Sequence, residues 1–295
     1  MNAREEGFLL LSSHLGNPDR KPLTVPQLRV LADRMKQMER PKENRNLTAG
    51  DLMALGYGRD LAEHILALMN EDSLLEHYLH RGRRSDCYPV TRVSEAYPLI
   101  LRQRLGLDSP GCLWAKGDLS ILNTPAISLV GSRNLLEQNR EFAEAVGRQA
   151  AANGLTLVSG NARGADKAAQ NACLEAGGHV ISVVADSLSA HKAQDNVLYL
   201  SENSFDEEFS PQRAISRNRV IHALGRMVFV AQCSTGKGGT WDGTVKNLRF
   251  GWSPVACYRD GSEAAAQLEQ MGAYLIGNED LQDFGSLPEG EITFF

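Results

Sequence analysis

The chain has 295 residues, of which 42% are hydrophobic and 23% charged, values typical of a globular protein rather than a disordered or fibrous one. This length favours one large or two modest domains with a substantial core, and it excludes a small disulfide-stapled peptide. With 31 Lys and Arg against 36 Asp and Glu, the net charge of -5 excludes a global positive field that would attract nucleic acid. Any site for a polyanion has to be local.

Cysteine usage and the N-terminus indicate a reduced, cytoplasmic protein. The five cysteines are odd in number and form no C-x-x-C pair, which is typical of free thiols and gives no signature of a zinc site. The apolar run at residues 8–11 is shorter than a signal-peptide core, and no stretch approaches the ~20 apolar residues of a membrane span. We therefore predict a cytoplasmic location, no membrane association and no metal.

The first part of the chain is predicted to be helical. Leu28 and Leu31 lie on one face of an amphipathic stretch, and Thr48 precedes a second stretch with helical periodicity. These patterns predict a small all-α N-terminal domain over residues 1–90. Proline and glycine interrupt residues 91–124, which are predicted to be a connector of short elements that leads into the next domain.

From residue 124 onward, apolar runs alternate with amphipathic stretches. The runs predicted as strands are 126–130, 156–158, 180–185, 197–200, 227–231, 254–258 and 273–276, and helical patterns lie between most of them. Such alternation predicts right-handed βαβ units. The expected fold class is α/β, with a doubly wound, Rossmann-like, mostly parallel sheet within residues 91–277. An acidic, unpatterned tail over 278–295 is expected to follow.

Glycine-rich turns follow three of the predicted strands, and ligands of doubly wound sheets bind beyond the carboxyl ends of strands. Each turn opens a helix, so its backbone N–H groups are expected to be free and to point toward a common crevice, with the helix N-terminus adding positive charge. Glycine also lets a ligand approach the main chain closely. The sequence therefore predicts a site for phosphate or another anion. The turns are Gly131-Ser132-Arg133, residues 159–166 (SGNARGAD) and residues 234–240 (STGKGGT).

Basic side chains accompany these turns. A single arginine is more often part of a surface ion pair, but a set of them beside anion-binding turns favours a ligand role. In the helix that contains Arg213, Arg217 and Arg219, the first two share a face, whereas Arg219 is rotated by about 200° from Arg217. One of Arg217 and Arg219 is therefore expected to be structural. The predicted DNA- or phosphate-binding residues are Gly131, Ser132, Arg133, Ser159, Gly160, Arg163, Asp166, Lys167, Arg217, Asn218, Arg219, Gly236, Lys237, Gly238, Gly239 and Thr240.

Two side chains at the turns have alternative interpretations. Asp166 is either a carboxylate that stabilises a helix N-terminus or a direct ligand contact. Trp241 is either a platform on which a base stacks or, as is more common, a buried indole.

Known nucleotide and nucleophile motifs are incomplete in this sequence. GSRNLL supplies only the first glycine of G-x-G-x-x-G, and Ala231 and Gly238 stand where a Walker A loop requires Gly and Ser or Thr. The sequence contains no G-x-S-x-G elbow. We therefore predict neither a catalytic residue nor a cofactor.

Several segments together resemble the DNA-processing protein A family (DprA, also called Smf) of the LOG-like superfamily. They occur in the family's order: AISLVGSR, LTLVSGNARGAD, the LSE of residues 200–202, and SRNRVIHAL followed by MVFVA. Residues 97–99 and 110–117 resemble the family's lead-in, and the helical N-terminal region suits the family's small N-terminal domain. The resemblance thus covers most of residues 1 to about 277. The residues in matching motif positions are Arg133, Ser159, Gly160, Asp166, Arg217 and Arg219.

The resemblance implies a binding protein rather than an enzyme. It implies a Rossmann-like domain that binds single-stranded DNA through its anion pocket, forms homodimers and delivers incoming strands to the RecA recombinase in transformation and recombination. The sequence departs from the family at Gln170, where a His is frequent, at residues 189–191, which lack a Tyr-Pro turn, and in the glycine-rich loop 235–240. No winged-helix domain is expected after Tyr274.

Two other functions use the same kind of phosphate site. The loop before Trp241 is similar to that of LOG-type phosphoribohydrolases, which cleave nucleoside monophosphates, but Gly243 stands at the position of the family's Glu and Asp242 lies one residue early. A nucleotide-binding sensor without turnover is the second alternative.

Overall fold

A single nine-stranded sheet forms the centre of the molecule. The computed structural model describes residues 1–38, 46–282 and 284. The strands are β1 (Tyr88–Thr91), β2 (Cys112–Lys116), β3 (Ala126–Val130), β4 (Thr156–Ser159), β5 (Val180–Val184), β6 (Val197–Glu202), β7 (Val228–Val230), β8 (Val255–Tyr258) and β9 (Tyr274–Ile276). Their order across the sheet is β1-β2-β6-β5-β4-β3-β7-β8-β9. From β6 to β9 in this order, all neighbouring strands are parallel. Strand β1 pairs antiparallel with β2, and β2 pairs antiparallel with β6. The predicted α/β class and mostly parallel sheet are confirmed.

Several helices precede the first strand in the chain, and others lie between the strands and cover both faces of the sheet. They are α1 (Ala3–Ser12), α2 (Val25–Gln37), α3 (Ala49–Ala54), α4 (Arg59–Met69), α5 (Asp72–Arg84), α6 (Leu99–Leu105), α7 (Glu137–Ala152), α8 (Ala165–Glu175), α9 (Pro211–Leu224), α10 (Gly239–Phe250) and α11 (Glu263–Gln270). Thr48 begins α3 with a capping box, in which its hydroxyl accepts from the Asp51 backbone N–H and the Asp51 carboxylate accepts from the Thr48 backbone N–H. The predicted helical character of the N-terminal region is confirmed.

Strand β3 shows why the sheet is covered on both sides. All of its residues are buried, as expected for a parallel strand between two helical layers. Ile127 and Leu129 belong to a core shared with Phe142 of α7, whereas Val130 belongs to a second core shared with Ile221 of α9. The chain order reverses around β3, because β4, β5 and β6 lie on one side of it and β7, β8 and β9 on the other. This reversal opens a crevice beyond the carboxyl ends of β3 and β7.

The segment predicted as a connector contributes strands to the same sheet. Strand β2 is buried at every position and pairs with β6, and β1 pairs with β2. Trp114 of β2 packs against Tyr78 of α5 and Phe205, with ring centroids 5.3 and 4.6 Å away. Helices α2 to α4 have a separate small core around Leu52 and Ile65. The domain boundaries at residues 90 and 277 stay predictions.

The end of the chain is described only in part. Residues 279–282 form a short 3-10 helix, and the Asp280 carboxylate accepts a hydrogen bond of 2.7 Å from the Gly277 backbone N–H. The rest of the predicted tail, residue 283 and residues 285–295, lies outside the described residues. Among the described helices, none has the length and apolar character needed to cross a membrane.

Candidate functional site

The three glycine-rich turns meet at the crevice between β3, β4 and β7. Within the first turn, the Ser132 backbone carbonyl accepts a 3.1 Å hydrogen bond from the Ala165 backbone N–H at the start of α8. A β-carbon at Gly131 would overlap the methyl group of Ala165, so only glycine allows this approach of the turn to the helix. The Thr240 hydroxyl, in the third turn, donates to the Gly131 carbonyl at 3.0 Å. The predicted convergence of the three turns is present in the structure.

The second turn is organised from within by Asp166. One oxygen of its carboxylate, Oδ2, accepts hydrogen bonds of 3.1 Å from the backbone N–H groups of both Gly160 and Ala162. These two N–H groups are therefore not free for a ligand, contrary to the expectation from the sequence. Burial raises the pKa of the Asp166 carboxyl, while the neighbouring Arg217 guanidinium and the two N–H donors oppose that rise. Asp166 thus lies in the first turn of α8, and its carboxylate holds the loop that precedes the helix.

The third turn carries Lys237 on an exposed loop. Gly236 and Gly238 have φ of 68° and 91°, values that side-chain-bearing residues rarely adopt, so glycine is needed at both positions. Asn218 of α9 donates from its amide to the Gly239 carbonyl at 3.0 Å and thereby fixes the start of α10.

Arg217 of α9 is the buried cation of the site. Its side chain is inserted beneath the second turn, where a β-carbon at Gly160 would overlap the guanidinium. The residue is only 8% exposed, and its Nε has no hydrogen-bond partner among the described residues. Burial lowers the pKa of the guanidinium, and Asp166 opposes this shift. An unpaired donor of this kind is costly. Since the Nε atom itself is shielded from solvent, the contact offered to an anion is the part of Arg217 that lines the cavity described next.

The turns enclose a cavity of about 520 Å³, here called the candidate site. Ten of the predicted binding residues line it: Gly131, Ser132, Arg133, Asp166, Arg217, Asn218, Lys237, Gly238, Gly239 and Thr240. A second cavity of about 360 Å³ continues from it and is lined by Gly160, Arg163, Arg133 and Arg217 among others. The cations Arg133, Arg217 and Lys237 thus face one space large enough for a nucleotide-sized anion.

Some predicted residues lie outside these cavities. The Ser159 hydroxyl is fully buried and accepts a 2.6 Å hydrogen bond from Gln170, the residue that replaces the family's frequent His. Arg219 points away to Glu202, at 3.1 Å, and to the Asp108 carbonyl, at 2.9 Å. Gly236 shapes the third turn without lining the candidate site, and Lys167 lies in a neighbouring groove. Of Arg217 and Arg219, the arginine with structural partners is Arg219.

Sequence reasoning missed the apolar part of the candidate site. Phe209 and Ile215 line it with 53% and 47% of their surface exposed. Phe209 also lines the second cavity, so its ring lies where the two spaces join. The sequence around Phe209 could have indicated an exposed ring. Phe209 stands between Glu208 and the Ser210-Pro211 helix start, without the periodic apolar neighbours that are typical of a core residue. Trp241, in contrast, is buried in the core at 8% exposure.

Among the described residues that line the candidate site, Asp166 is the one carboxylate. Within the part of the chain that the structure describes, no group of three or more His, Cys, Asp or Glu side chains could hold a metal ion. Gly243 is buried against His222 of α9, and Asp242 is exposed and does not line the candidate site. The position corresponding to the phosphoribohydrolase Glu therefore faces the core.

The sheet order and the turns at its edge define a protein of the doubly wound, Rossmann-like α/β class. A protein-family model described as DNA recombination-mediator protein A matches residues 89–284. The chain therefore belongs to the DNA recombination-mediator protein A family.

Individual relatives agree with this assignment. The DNA processing protein DprA of Streptococcus pneumoniae is 33% identical over 214 residues, which cover 68% of this chain and 72% of that protein. Protein Smf of Escherichia coli is 28% identical over 197 residues, covering 62% of this chain and 52% of that protein. The chain thus spans about half the length of the Escherichia coli relative.

Solved structures share the fold. The X-ray structure of DprA from Streptococcus pneumoniae superposes with a TM-score of 0.73 at 25% identity, covering 96% of this chain and 99% of that chain. DNA processing protein A from Helicobacter pylori, whose structure is described for its single-stranded DNA binding mode, gives a TM-score of 0.56 at 24% identity over 67% of this chain and 93% of that chain. This second likeness concerns the fold alone.

Proposed function

We propose that this protein binds single-stranded DNA, with phosphates of the strand held in the candidate site. The observation that carries the proposal is the convergence of Arg217, Arg133 and Lys237, three cations that line one cavity. Phosphate oxygens in this cavity would accept hydrogen bonds from these cations, and charge-assisted hydrogen bonds of this kind are the strong ones. The exposed Phe209 ring beside these cations offers a surface on which a base can stack, as in other single-strand binders.

We also propose the wider role that family membership suggests. The protein would act as a non-enzymatic homodimer in the cytoplasm, protecting incoming single strands and delivering them to a RecA-type recombinase during DNA uptake and recombination. Support comes from the family match over residues 89–284 and from the Streptococcus pneumoniae relative.

Titration of a fluorescently labelled oligo-dT, with nucleoside monophosphates as competitors, tests the proposal. If about four phosphates are held, the slope of log K against log salt is expected to be roughly -3. The absence of binding at low salt, or a flat salt dependence, would refute single-strand binding. Competition by a monophosphate at equal molar concentration would favour the nucleotide sensor instead.

Substitution of Arg133 tests the location of the site. Arg133→Ala is expected to weaken binding to all base sequences similarly, because phosphate contacts carry no base information. Arg29→Ala, which removes an equally exposed cation in α2, serves as the charge-matched control. A loss confined to one base composition, or an equal loss in both variants, would contradict the assignment.

A further inference from the structure

A third cavity lies beside the candidate site, in the groove between α7 and α8. It measures about 610 Å³ and is called the α7–α8 groove. Its lining includes five cations, Arg133, Arg140, Arg148, Arg163 and Lys167. Arg133 and Arg163 come from the turn segments that the sequence singled out, and Lys167 directly follows the second of them. Arg140 and Arg148 lie one and three turns into α7.

The positive charge of the groove is poorly compensated. Two carboxylates, Glu144 and Glu175, line it, which leaves three positive charges in excess in a protein whose net charge is -5. Arg148 lies 3.6 Å from Glu144, but the arginine side chain is 54% exposed, so this pair contributes little. The Arg163 guanidinium donates to a neutral partner, the Asn134 amide oxygen, at 2.8 Å. Such a field attracts anions locally although the whole chain repels them.

The groove is continuous with the candidate site. Arg133 lines all three cavities, and Arg163 lines both the second cavity and the groove. A polyanion bound at Arg133 therefore has a positively charged path on to α7 and α8. The lining of the groove contains no aromatic ring, whereas the candidate site has Phe209. The groove is consequently suited to phosphates rather than to stacked bases.

We propose that the α7–α8 groove holds the sugar-phosphate backbone of the same single strand where the strand leaves the candidate site. This inference rests on the proposed function and extends it, because it assigns Arg140, Arg148 and Lys167 to a longer binding track. The strand would contact the candidate site through a few nucleotides and the groove through the following ones. Affinity should therefore grow with strand length beyond what the candidate site alone can hold.

The experiment compares oligo-dT of about 4 and about 12 nucleotides, lengths at the lower and middle part of the range held by single-strand binding modules. The variant is Arg140→Gln/Arg148→Gln, which removes two exposed cations whose surface ion pairs contribute little to folding. The matched control, Arg29→Gln/Arg59→Gln, removes two exposed arginines that line none of the three cavities.

For the longer strand, the groove variant is expected to bind more weakly and to lose about 1.4 from the magnitude of the salt slope, since each of the two phosphate contacts on a single strand contributes about 0.7. The short strand should bind the groove variant and the unaltered protein equally. An unchanged affinity for the longer strand, an equal loss for both lengths, or an equal loss in the control would overturn the groove assignment while leaving the candidate site in place. If the unaltered protein bound neither oligonucleotide, the proposed function itself would fail.

Discussion

Two buried arginines in different regions of the molecule show how a structural guanidinium differs from one suited to a ligand. In the N-terminal helical region, Arg20 is 5% exposed, donates to the backbone carbonyls of Leu10 and Ser13, and pairs with Glu71 at 2.5 Å. Arg217, at the edge of the sheet, is buried to a similar degree but has an unpaired Nε and faces a cavity. Burial alone therefore does not identify a binding residue, and what distinguishes Arg217 from Arg20 is its place in the lining of a cavity with two other cations.

The largest expected effect concerns stability at Arg20. Arg20→Ala would leave two buried carbonyls and Glu71 without their donor, so we expect a loss of about 3 kcal/mol in the free energy of unfolding. Urea denaturation measures this loss. Binding of oligo-dT by the folded fraction should stay unchanged, and a marked fall in affinity would contradict the structural assignment of Arg20.

Arg217 should differ from Arg20 in its effect on binding. Arg217→Met keeps most of the side-chain volume and removes the donors, so oligo-dT binding should weaken about 10- to 100-fold, the equivalent of one charge-assisted hydrogen bond. The free energy of unfolding should fall as well, because the buried Asp166 carboxylate loses the neighbouring cation that offsets its burial, so the contrast with Arg20→Ala lies in the binding. Fluorescence anisotropy and urea denaturation on the same preparation check both expectations. Unchanged affinity would remove Arg217 from the site.

The position of the Arg217 guanidinium can be tested without altering its charge. Gly160→Ala places a methyl group where the guanidinium lies, so we expect a cost of about 1–3 kcal/mol in stability and weaker binding of oligo-dT. Gly7→Ala is the matched control, because a β-carbon at Gly7 meets open space within α1 and should stabilise the helix by about 0.5–1 kcal/mol. Normal binding by the Gly160 variant would show that the guanidinium can occupy another position.

His222 is a third buried polar side chain that can be compared with Arg20 and Arg217. Both of its ring nitrogens are unpaired among the described residues, but it lines neither cavity of the site. Burial lowers the pKa of the imidazole to about 3 in the folded protein, against about 6.5 in the unfolded chain. As pH falls, the unfolded state therefore takes up a proton on His222 before the folded state does. The stability of the folded state is unaffected by this difference above pH ~6.5, and it decreases as pH falls from there toward 3.

Replacement of His222 should flatten that pH dependence. In His222→Gln the slope of unfolding free energy below pH ~6.5 should decrease by at most about 1.4 kcal/mol per pH unit, the effect of one proton. Urea denaturation at a series of pH values gives the slope for both proteins. Identical slopes would mean that the imidazole is accessible to protons in the folded state.

The parallel part of the fold was predictable because its signals are local. Short runs that are apolar apart from one serine, such as residues 126–130 and 180–184, are typical of strands covered on both faces. Strand β2 was missed because its short run CLWAK ends in a lysine, Lys116, which is nevertheless buried at 6% exposure. Its place in the sheet depends on pairing with β6, about 85 residues later in the chain, which no local pattern contains.

The candidate site was predictable to a smaller extent. Glycine-rich turns after strands identify the edge of the sheet, but they do not tell which N–H groups stay free. Asp166 uses the Gly160 and Ala162 N–H groups itself, and the position of its carboxylate is set by tertiary packing. The different directions of Arg217 and Arg219 followed from helix geometry. The structure was needed to show that Arg217 lines a cavity and that Arg219 pairs with Glu202.

The hydrogen bonds that join the three turns have a consequence for the kinetics of binding. Ala165 N–H is bound to the Ser132 carbonyl, the Thr240 hydroxyl to Gly131 and the Asn218 amide to Gly239, so each turn is held by another element. A ligand would meet an already ordered frame and would lose little of its binding free energy to arranging loops. Association should then be governed by diffusion and by the charge of the approaching molecule, with a single kinetic phase and no slow isomerisation after contact.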